Sequence, residues 1–303
     1  MKEAIPGALA GERVDRVVAL LTGLTRSEVA SLVTAGGVRL DGTPVGTRSR
    51  RVAEGEELEI EALAVAESVT VVPDAEVEVP VLHADDDVVV VDKPAGLVVH
   101  PGAGQRAGTM VQGLLARFPE LAVVGEPGRP GIVHRLDKGT SGVLVVARSA
   151  LAYASLVQQL GDRSVERRYL ALAWGHVEAE TGLVDAPVGR SAGDPTRMTV
   201  STTGRAARTR YQVLERYRRP VPLTKLECRL ETGRTHQVRV HLAAIGHALV
   251  GDDRYGGGRS TLPCPRPFLH ARVLGFDHPA TGERMVFESP LPEDLSAVLA
   301  SLS

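Results

Sequence analysis

An acidic stretch between residues 52 and 92 divides this chain of 303 residues into two parts. The stretch contains 13 Asp and Glu residues and no Lys or Arg, and Pro73 and Pro80 interrupt its Val-rich second half. Because proline lacks a backbone N–H and breaks regular elements, this region favours a connection over a core element. The sequence therefore predicts a small domain at residues 1–63, an acidic linker at residues 64–80 and a larger domain at residues 81–303.

The charge of the chain is segregated. The formal net charge is only −2, from 35 Lys and Arg against 37 Asp and Glu, but the acidic stretch leaves the rest of the chain net basic. Arginines cluster in two places, at Arg48, Arg50 and Arg51 and at Arg190, Arg197, Arg205, Arg208, Arg210, Arg216, Arg218 and Arg219. Such patches suit a polyphosphate, although each alone could be an ordinary solvated surface. With only 3% aromatic residues, base stacking on aromatic platforms cannot be the main means of binding.

Several classes of protein are disfavoured. The two cysteines, Cys228 and Cys264, form no C-x-x-C pair, so neither a disulfide framework nor a thiolate zinc site is expected. His236 and His241 lie about 140° apart around a helix, unlike the same-face pair of the H-E-x-x-H zinc motif. No apolar stretch approaches the roughly 18 residues of a membrane span, and the chain start lacks the apolar block of a secretion signal. A cytoplasmic protein without a membrane partner is expected.

The first 60 residues predict a helix-helix-strand unit. Apolar residues recur at helical spacing within residues 11–35, where T-R-S-E at residues 25–28 forms a capping box for the second helix. Gly36 and Gly37 end that helix, and residues 38–42 and 58–60 predict two small strands around a turn.

This unit resembles the S4 RNA-binding module. The resemblance rests on the element order and on the phrases G-E-R-V-D at residues 11–15, T-R-S at 25–27 and G-V-R-L-D-G at 37–42. S4 modules bind structured RNA through basic residues. The resemblance therefore implies RNA contacts by Arg26, Arg39, Arg48, Arg50 and Arg51.

The larger domain mixes strands with helices. Leu226, Cys228 and Leu230 alternate with charged residues, which is the two-residue period of a strand covered on one face. Strands are predicted at residues 88–91, 142–147, 168–174, 209–216, 224–231, 271–276 and 284–288, and helices at 109–118, 150–160, 235–245 and 293–302. The order is too irregular for a doubly wound parallel sheet. The predicted class is α+β, with a mixed, mainly antiparallel sheet and helices packed against it.

Four phrases in this domain contain groups suited to chemistry: D-K-P-A-G at residues 92–96, G-I-V-H-R-L-D-K-G-T-S-G at 131–142, R-Y-L-A at 168–171 and T-G-R-T-H-Q-V-R-V-H at 232–241. Each phrase alone has an ordinary structural explanation, such as a turn for K-P-A-G. The chain contains neither a G-x-G-x-x-G motif nor a P-loop, so no nucleotide cofactor is indicated.

Together and in this order, the phrases resemble the catalytic domain of the RluA/RluD family of pseudouridine synthases. The resemblance implies that Asp137 of H-R-L-D is the catalyst and that Arg135 displaces the target nucleotide and fills its place. It implies further that Tyr169 lies against the uracil and that Arg234 pairs with Asp137. The neighbouring His134 and Leu136 are expected to contact the RNA.

The implied reaction converts uridine to pseudouridine in structured RNA. It breaks the N1–C1′ bond and forms a C5–C1′ bond without a redox step, so neither a cofactor nor a metal is expected. Whether Asp137 acts at C1′, at C2′ or on the uracil ring stays open. The likeness to D-type members favours 23S ribosomal RNA over other ribosomal or transfer RNA, with no DNA partner and a monomeric enzyme.

An ionised Asp137 requires a nearby positive charge when RNA covers the site. At about 4 Å and an effective dielectric constant of about 20, an arginine contributes on the order of 4 kcal/mol. Arg234 is the expected source. Two alternatives stay open: a non-catalytic RNA-binding protein that assists ribosome assembly, and a hydrolase that uses Asp137, although no second carboxylate or metal set is evident for it.

Overall fold

The computed structural model describes residues 1–24, 26–61, 71–102, 104–126, 128–194 and 196–303, with the backbone alone described for residues 26–28 and 31. The chain forms two compact units, residues 1–70 and 71–303. Thr25 of the predicted capping box and residues 64–70 of the predicted linker lie outside the described residues. The remainder of that linker lies in the second unit, where Val71 and Val79 pack against the core.

In the described part of the smaller unit, the chain forms two α-helices and four short strands. These are β1 (Lys2–Ala4), α1 (Val14–Thr22), α2 (Arg26–Thr34), β2 (Val38–Leu40), β3 (Thr43–Pro44) and β4 (Glu57–Ile60). The strands form an antiparallel sheet in the order β1-β4-β2-β3. Val14, Val17 and Val18 of α1 pack against Leu40 and Leu58 of the sheet. Both helices and the central strands β2 and β4 were predicted from the sequence, and the two outer strands were not.

The larger unit contains thirteen strands and four helices among the described residues. Its strands are β5 (Val81–Ala84), β6 (Val88–Lys93), β7 (Gly125–Glu126), β8 (Arg129–Pro130), β9 (Ser141–Ala147), β10 (Glu166–Trp174), β11 (Thr181–Asp185), β12 (Val188–Arg190), β13 (Met198–Val200), β14 (Arg208–Tyr217), β15 (Leu223–Leu230), β16 (Leu269–Asp277) and β17 (Arg284–Glu288). Its helices are α3 (Met110–Arg117), α4 (Ala150–Gly161), α5 (Gln237–Ala244) and α6 (Glu293–Ala300).

Nine of these strands form one sheet. Eight follow the order β11-β14-β15-β10-β16-β9-β6-β5, and β17 pairs with β16. Within the described sheet the β9–β16 pair is parallel, while the other pairs are antiparallel. The predicted α+β class with a mixed, mainly antiparallel sheet is confirmed.

Strand β6 explains how helices cover both faces of the sheet. Successive side chains of a strand point to opposite faces, so a continuous apolar run predicts burial on both sides. Val89 and Val91 join a core with Leu114 of α3, whereas Val88 joins a second core with Leu156 of α4. The sheet is therefore the middle layer of the unit. In the described part of the chain, no helix is long and apolar enough to cross a membrane.

Candidate active site

An open cavity of about 850 Å³ lies in the larger unit. Three of the segments that line it are the loop at residues 131–140 that leads into β9, the start of β10, and the turn between β15 and α5. These segments carry three of the four phrases that the sequence singles out. The candidate residues that line the cavity are His134, Arg135, Leu136, Asp137, Tyr169 and Arg234.

Backbone contacts hold the loop that carries Asp137. The N–H of Thr140 donates to the carbonyl of Asp137 at 3.0 Å, which closes a turn around the carboxylate. The N–H of Gly96 donates to the carbonyl of Lys138 at 2.7 Å, and Arg266 Nη1 donates to the carbonyl of Gly139 at 3.1 Å. Gly96 has φ of 87°, a left-handed conformation that favours glycine. The K-P-A-G turn thus anchors the aspartate loop.

Lys93 supports this turn from inside the protein. Its side chain is fully buried, and its Nζ donates to the carbonyls of Pro94 and Leu97 at 2.8 and 2.9 Å. Burial lowers the pKa of Lys93 to about 7, although the negative charge of Asp137 opposes the shift. A lysine in the first phrase is therefore electrostatically coupled to the catalytic candidate in the second.

Asp137 is held by Arg239. Nη1 of Arg239 donates to Oδ2 of Asp137 at 3.2 Å, and the Asp137 side chain remains 16% exposed. The other side of the same guanidinium binds Asp252, with Nε to Oδ2 at 2.7 Å and Nη2 to Oδ1 at 2.8 Å. Burial acts to lower the pKa of Arg239, but the bonds to Asp252 and the charges of both carboxylates outweigh it and raise that pKa. Arg239 is a permanent cation beside Asp137.

The expected pairing of Arg234 with Asp137 is wrong. Among the described residues, the ion pairs of Asp137 are with Arg239 and His236. Arg234 lies in the turn before α5, where its backbone N–H donates to the Gln237 side chain and its Nε donates to the carbonyl of Ala206. Arg239 pairs with Asp137 in place of Arg234 because Arg239 lies within α5 and its buried side chain reaches the aspartate loop.

A second polar contact reaches Asp137 from the start of α5. His236 precedes this helix with φ of 57°, and its Nε2 lies 3.9 Å from Oδ2 of Asp137. Its Nδ1 lies 2.8 Å from the hydroxyl of Tyr255, which accepts the N–H of Met198 at 3.1 Å. The Tyr255 proton is therefore free to donate to Nδ1, which leaves the proton of a neutral imidazole on Nε2, facing Asp137.

Tyr169 also lines the cavity. It lies on β10 with 6% of its surface exposed. Burial raises the pKa of Tyr169 to about 12, and the charge of Arg167 opposes that shift. The phenol is therefore protonated at neutral pH.

The three neighbours in H-R-L have different environments. Arg135 is exposed at the cavity, whereas Leu136 is 4% exposed and packs in the core. His134 accepts the N–H of Val145 on Nε2 at 3.2 Å, and burial followed by the charge of Arg167 lowers the pKa of His134 to about 3. Of the three, Arg135 is best placed to meet a polynucleotide.

The five arginines expected to contact RNA in the smaller unit lie in different environments. Arg39 and Arg50 pair with Glu61 at 3.6 Å and Glu56 at 2.7 Å. Arg51 donates to the carbonyl of Gly11, and Arg48 is exposed. The side chain of Arg26 lies outside the described residues. Their role in RNA binding stays a prediction.

Sequence reasoning missed Arg239, Asp252, Tyr255 and Lys93. Arg239 and Lys93 lie inside the phrases already singled out, so the signal was present, but spacing alone could not rank Arg239 above Arg234. Asp252 and Tyr255 follow α5 in a segment without a recognised motif. Within the described ranges, no group of three or more His, Cys, Asp or Glu side chains is arranged to hold a metal ion.

Comparisons with known proteins identify a family profile, relatives and a solved structure that this chain resembles. Residues 87–244 match the family profile described as RNA pseudouridylate synthase, and residues 12–58 match the S4 domain. A Bacillus subtilis relative named "Uncharacterized RNA pseudouridine synthase YlyB" is 41% identical over 96% of this chain and 94% of its own length. A Xanthomonas campestris relative named "Ribosomal large subunit pseudouridine synthase D" is 43% identical over 98% of this chain and 91% of its own.

A solved structure has a similar fold over most of its length and over about three quarters of this chain. The chain named "Human RNA Pseudouridylate Synthase Domain Containing 1" superposes with a TM-score of 0.59 at 29% identity, over 76% of this chain and 90% of the human chain.

Proposed function

This chain belongs to the RNA pseudouridine synthase family and isomerises uridine in RNA, and we propose that it modifies large-subunit ribosomal RNA with Asp137 as the catalyst. The isomerisation breaks the N1–C1′ bond and forms the C5–C1′ bond, and the proton lost from C5 is balanced by a proton gained at N1. One group must therefore assist the sugar carbon or the base, and another must handle a proton.

The observation that carries this proposal is the placement of Asp137 at an open cavity. Its carboxylate is exposed enough to meet a substrate and is bonded to a guanidinium that stays charged. A positive neighbour favours the ionised form of a carboxylate when substrate excludes water. Asp137 is therefore suited to act as a nucleophile or base toward the ribose or the ring.

Tyr169 and Arg135 supply two further functions in this proposal. The protonated, largely buried ring of Tyr169 offers a flat surface for uracil and a hydroxyl that can relay the C5 proton. A uridine in structured RNA must leave its stack to reach the cavity, at a cost of a few kcal/mol. Exposed Arg135, two residues before Asp137, can occupy the vacated space.

Large-subunit ribosomal RNA is the substrate that the relatives favour. Proteins from Xanthomonas campestris, Pseudomonas aeruginosa and Nitrosomonas europaea, with 42–43% identity over 98% of this chain, carry the name "Ribosomal large subunit pseudouridine synthase D". The S4 match at residues 12–58 supports recognition of structured RNA. Basic side chains beside the cavity, including Arg129, Arg163 and Arg205, suit a phosphate backbone.

Mapping of pseudouridine with carbodiimide tests the proposal. Purified protein is incubated with unmodified large-subunit ribosomal RNA, small-subunit ribosomal RNA and transfer RNA. We expect new pseudouridine in the large-subunit RNA alone, and the same position is expected to lose its modification in cells that lack the gene.

The matched control is Asp137→Asn, which keeps the size of the side chain and removes its charge. We expect this variant to bind RNA and to form no pseudouridine. Modification confined to transfer RNA would contradict the substrate assignment, and full activity of Asp137→Asn would contradict the catalytic assignment.

A further inference from the structure

Arg167 is a buried cation without an anionic partner among the residues that the structure describes. It lies on β10 two residues before Tyr169, so both side chains point to the same face of the sheet and line the cavity. Arg167 is 5% exposed, and its Nε has no hydrogen-bond partner among the described residues. Among the described residues, the charged groups that act on its guanidinium include Arg234 and no carboxylate. Arg168, on the opposite face, pairs with Glu166 at 3.0 Å and Glu227 at 3.6 Å.

The surroundings of Arg167 make its burial more costly. Arg163, Arg205 and Arg234 line the same cavity. Burial and then the charges of Arg205 and Arg163 lower the pKa of Arg234. Glu231 also lines the cavity, but its carboxylate is already shared by Arg163, Arg208 and Arg210 at 3.8, 3.1 and 2.6 Å. The cluster therefore has more positive than negative charge.

A guanidinium does not lose its proton inside a protein, and a buried charge without a partner destabilises the fold. A buried cation of this kind lowers the stability of the free protein. Its presence is explained if a bound ligand supplies the missing negative charge. The turn beside it leaves room for the group, because a Cβ on Gly233 would lie 2.9 Å from Nη1 of Arg167. The glycine lets the guanidinium lie directly beneath the turn that carries Arg234.

We propose that Arg167 binds a phosphodiester group flanking the flipped uridine, with Arg163, Arg205 and Arg234 forming the rim of this phosphate site. The proposal rests on the proposed function and names the part of the substrate that this wall of the cavity recognises. A phosphodiester is a permanent anion that a planar guanidinium can bind through two hydrogen bonds. A uracil carbonyl would leave the buried charge uncompensated before the glycosidic bond breaks.

A first experiment tests the anion site without RNA. Thermal unfolding is measured in inorganic phosphate and in chloride at equal ionic strength, for wild type, Arg167→Met and Arg168→Met. Without phosphate, Arg167→Met is expected to unfold at the same or a higher temperature than wild type, because it removes an unpaired buried charge. Phosphate is expected to raise the midpoint of wild type and Arg168→Met more than that of Arg167→Met. An equal response of all three proteins would overturn the site.

A second experiment identifies the group that Arg167 binds. The stem-loop around the uridine mapped above is synthesised with a neutral methylphosphonate at the linkage on the 5′ or the 3′ side of that uridine. Each methylphosphonate is carried next to a 2′-deoxy sugar, and the matched reference carries the same sugar with a normal phosphate. The measured quantity is RNA affinity, which does not require catalysis. A wild-type protein that binds this RNA without modifying it would contradict the proposed function, and it would still show whether Arg167 binds a phosphate.

At one of the two linkages, wild type is expected to bind the methylphosphonate RNA on the order of 10- to 100-fold more weakly than its reference. Arg167→Met is expected to bind the reference RNA more weakly by a similar factor and to show no further loss with the methylphosphonate. Arg168→Met should behave as wild type. Additive losses at both linkages would overturn the proposal and assign Arg167 to the base or to packing.

Discussion

Replacing Arg239 with lysine is expected to lower kcat by about 10- to 150-fold with little change in RNA binding. Arg239 makes three charge-assisted hydrogen bonds, two to Asp252 and one to Asp137. A lysine ammonium cannot reproduce this planar arrangement across two carboxylates. Loss of the bond to Asp137 alone is worth about 1.5–3 kcal/mol, which corresponds to roughly 10- to 150-fold in rate.

Stability is expected to fall in the same variant. The Asp252 side chain is 1% exposed, so a lost bond leaves a buried carboxylate incompletely paired. This costs a further 1.5–3 kcal/mol or so in the free energy of unfolding. Denaturant unfolding at pH 7 measures the change, and assays are run well below the unfolding temperature so that the rate reports on folded enzyme.

The assay is steady-state release of tritium from RNA labelled at C5 of uridine, with RNA saturating and in excess over enzyme. The matched control is Arg234→Lys, which changes an arginine in the same phrase that does not contact Asp137. We expect its kcat to be close to that of wild type, with any defect confined to RNA affinity. A larger loss of kcat in Arg234→Lys than in Arg239→Lys would refute the assignment of Arg239 as the partner of the catalytic carboxylate.

Three further predictions follow from the same geometry. Tyr169→Phe keeps the ring and removes the hydroxyl, so tritium release should slow by about 10²- to 10⁴-fold while RNA binding is preserved; an unchanged rate would exclude a proton relay. Arg135→Ala should reduce turnover on a stem-loop more than on an unstructured RNA with the same uridine, whereas Lys138→Ala, at the neighbouring exposed position, should affect both substrates equally. Burial lowers the pKa of Lys93 to about 7, so from about pH 7 to pH 10 the unfolded chain binds a proton that the folded chain does not, and stability should rise with pH. Chemical denaturation should show no such rise in Lys93→Met, and parallel pH profiles for the two proteins would count against the shift.

The fold was largely predictable because its signals are local. The predicted strands at residues 88–91, 142–147 and 284–288 correspond to β6, β9 and β17, since buried Val-rich runs and two-residue alternation act over a few residues. The missed strands, such as β11, are half exposed and carry a weak apolar pattern. Their formation depends on pairing with β14, which a local pattern does not encode.

The candidate site was predictable in its members and less so in its contacts. The four phrases and their order led to the expectation that Asp137, Tyr169 and Arg135 share one site, and all three residues line the same cavity. The predicted helix at residues 235–245 already had Arg234 before it and Arg239 within it. The choice between the two arginines depended on which side chain reaches the aspartate loop, and that tertiary contact is not encoded in the spacing of the phrase. The burial of Arg167 could not be predicted from the sequence either. Arg167 and Arg168 are adjacent and point to opposite faces of β10, and the sequence does not show which of these two faces is covered.

The unequal sharing of Arg239 between two carboxylates has a consequence for motion. Asp252 is gripped at both oxygens, whereas Asp137 is tethered at one oxygen by a single longer bond. A rotation about the side-chain bonds of Asp137 therefore breaks its one hydrogen bond to Arg239. The Arg239 guanidinium keeps its position because both of its bonds to Asp252 remain. In the proposed mechanism, the Asp137 carboxylate can therefore turn toward the sugar or the uracil ring while Arg239 stays bound to Asp252.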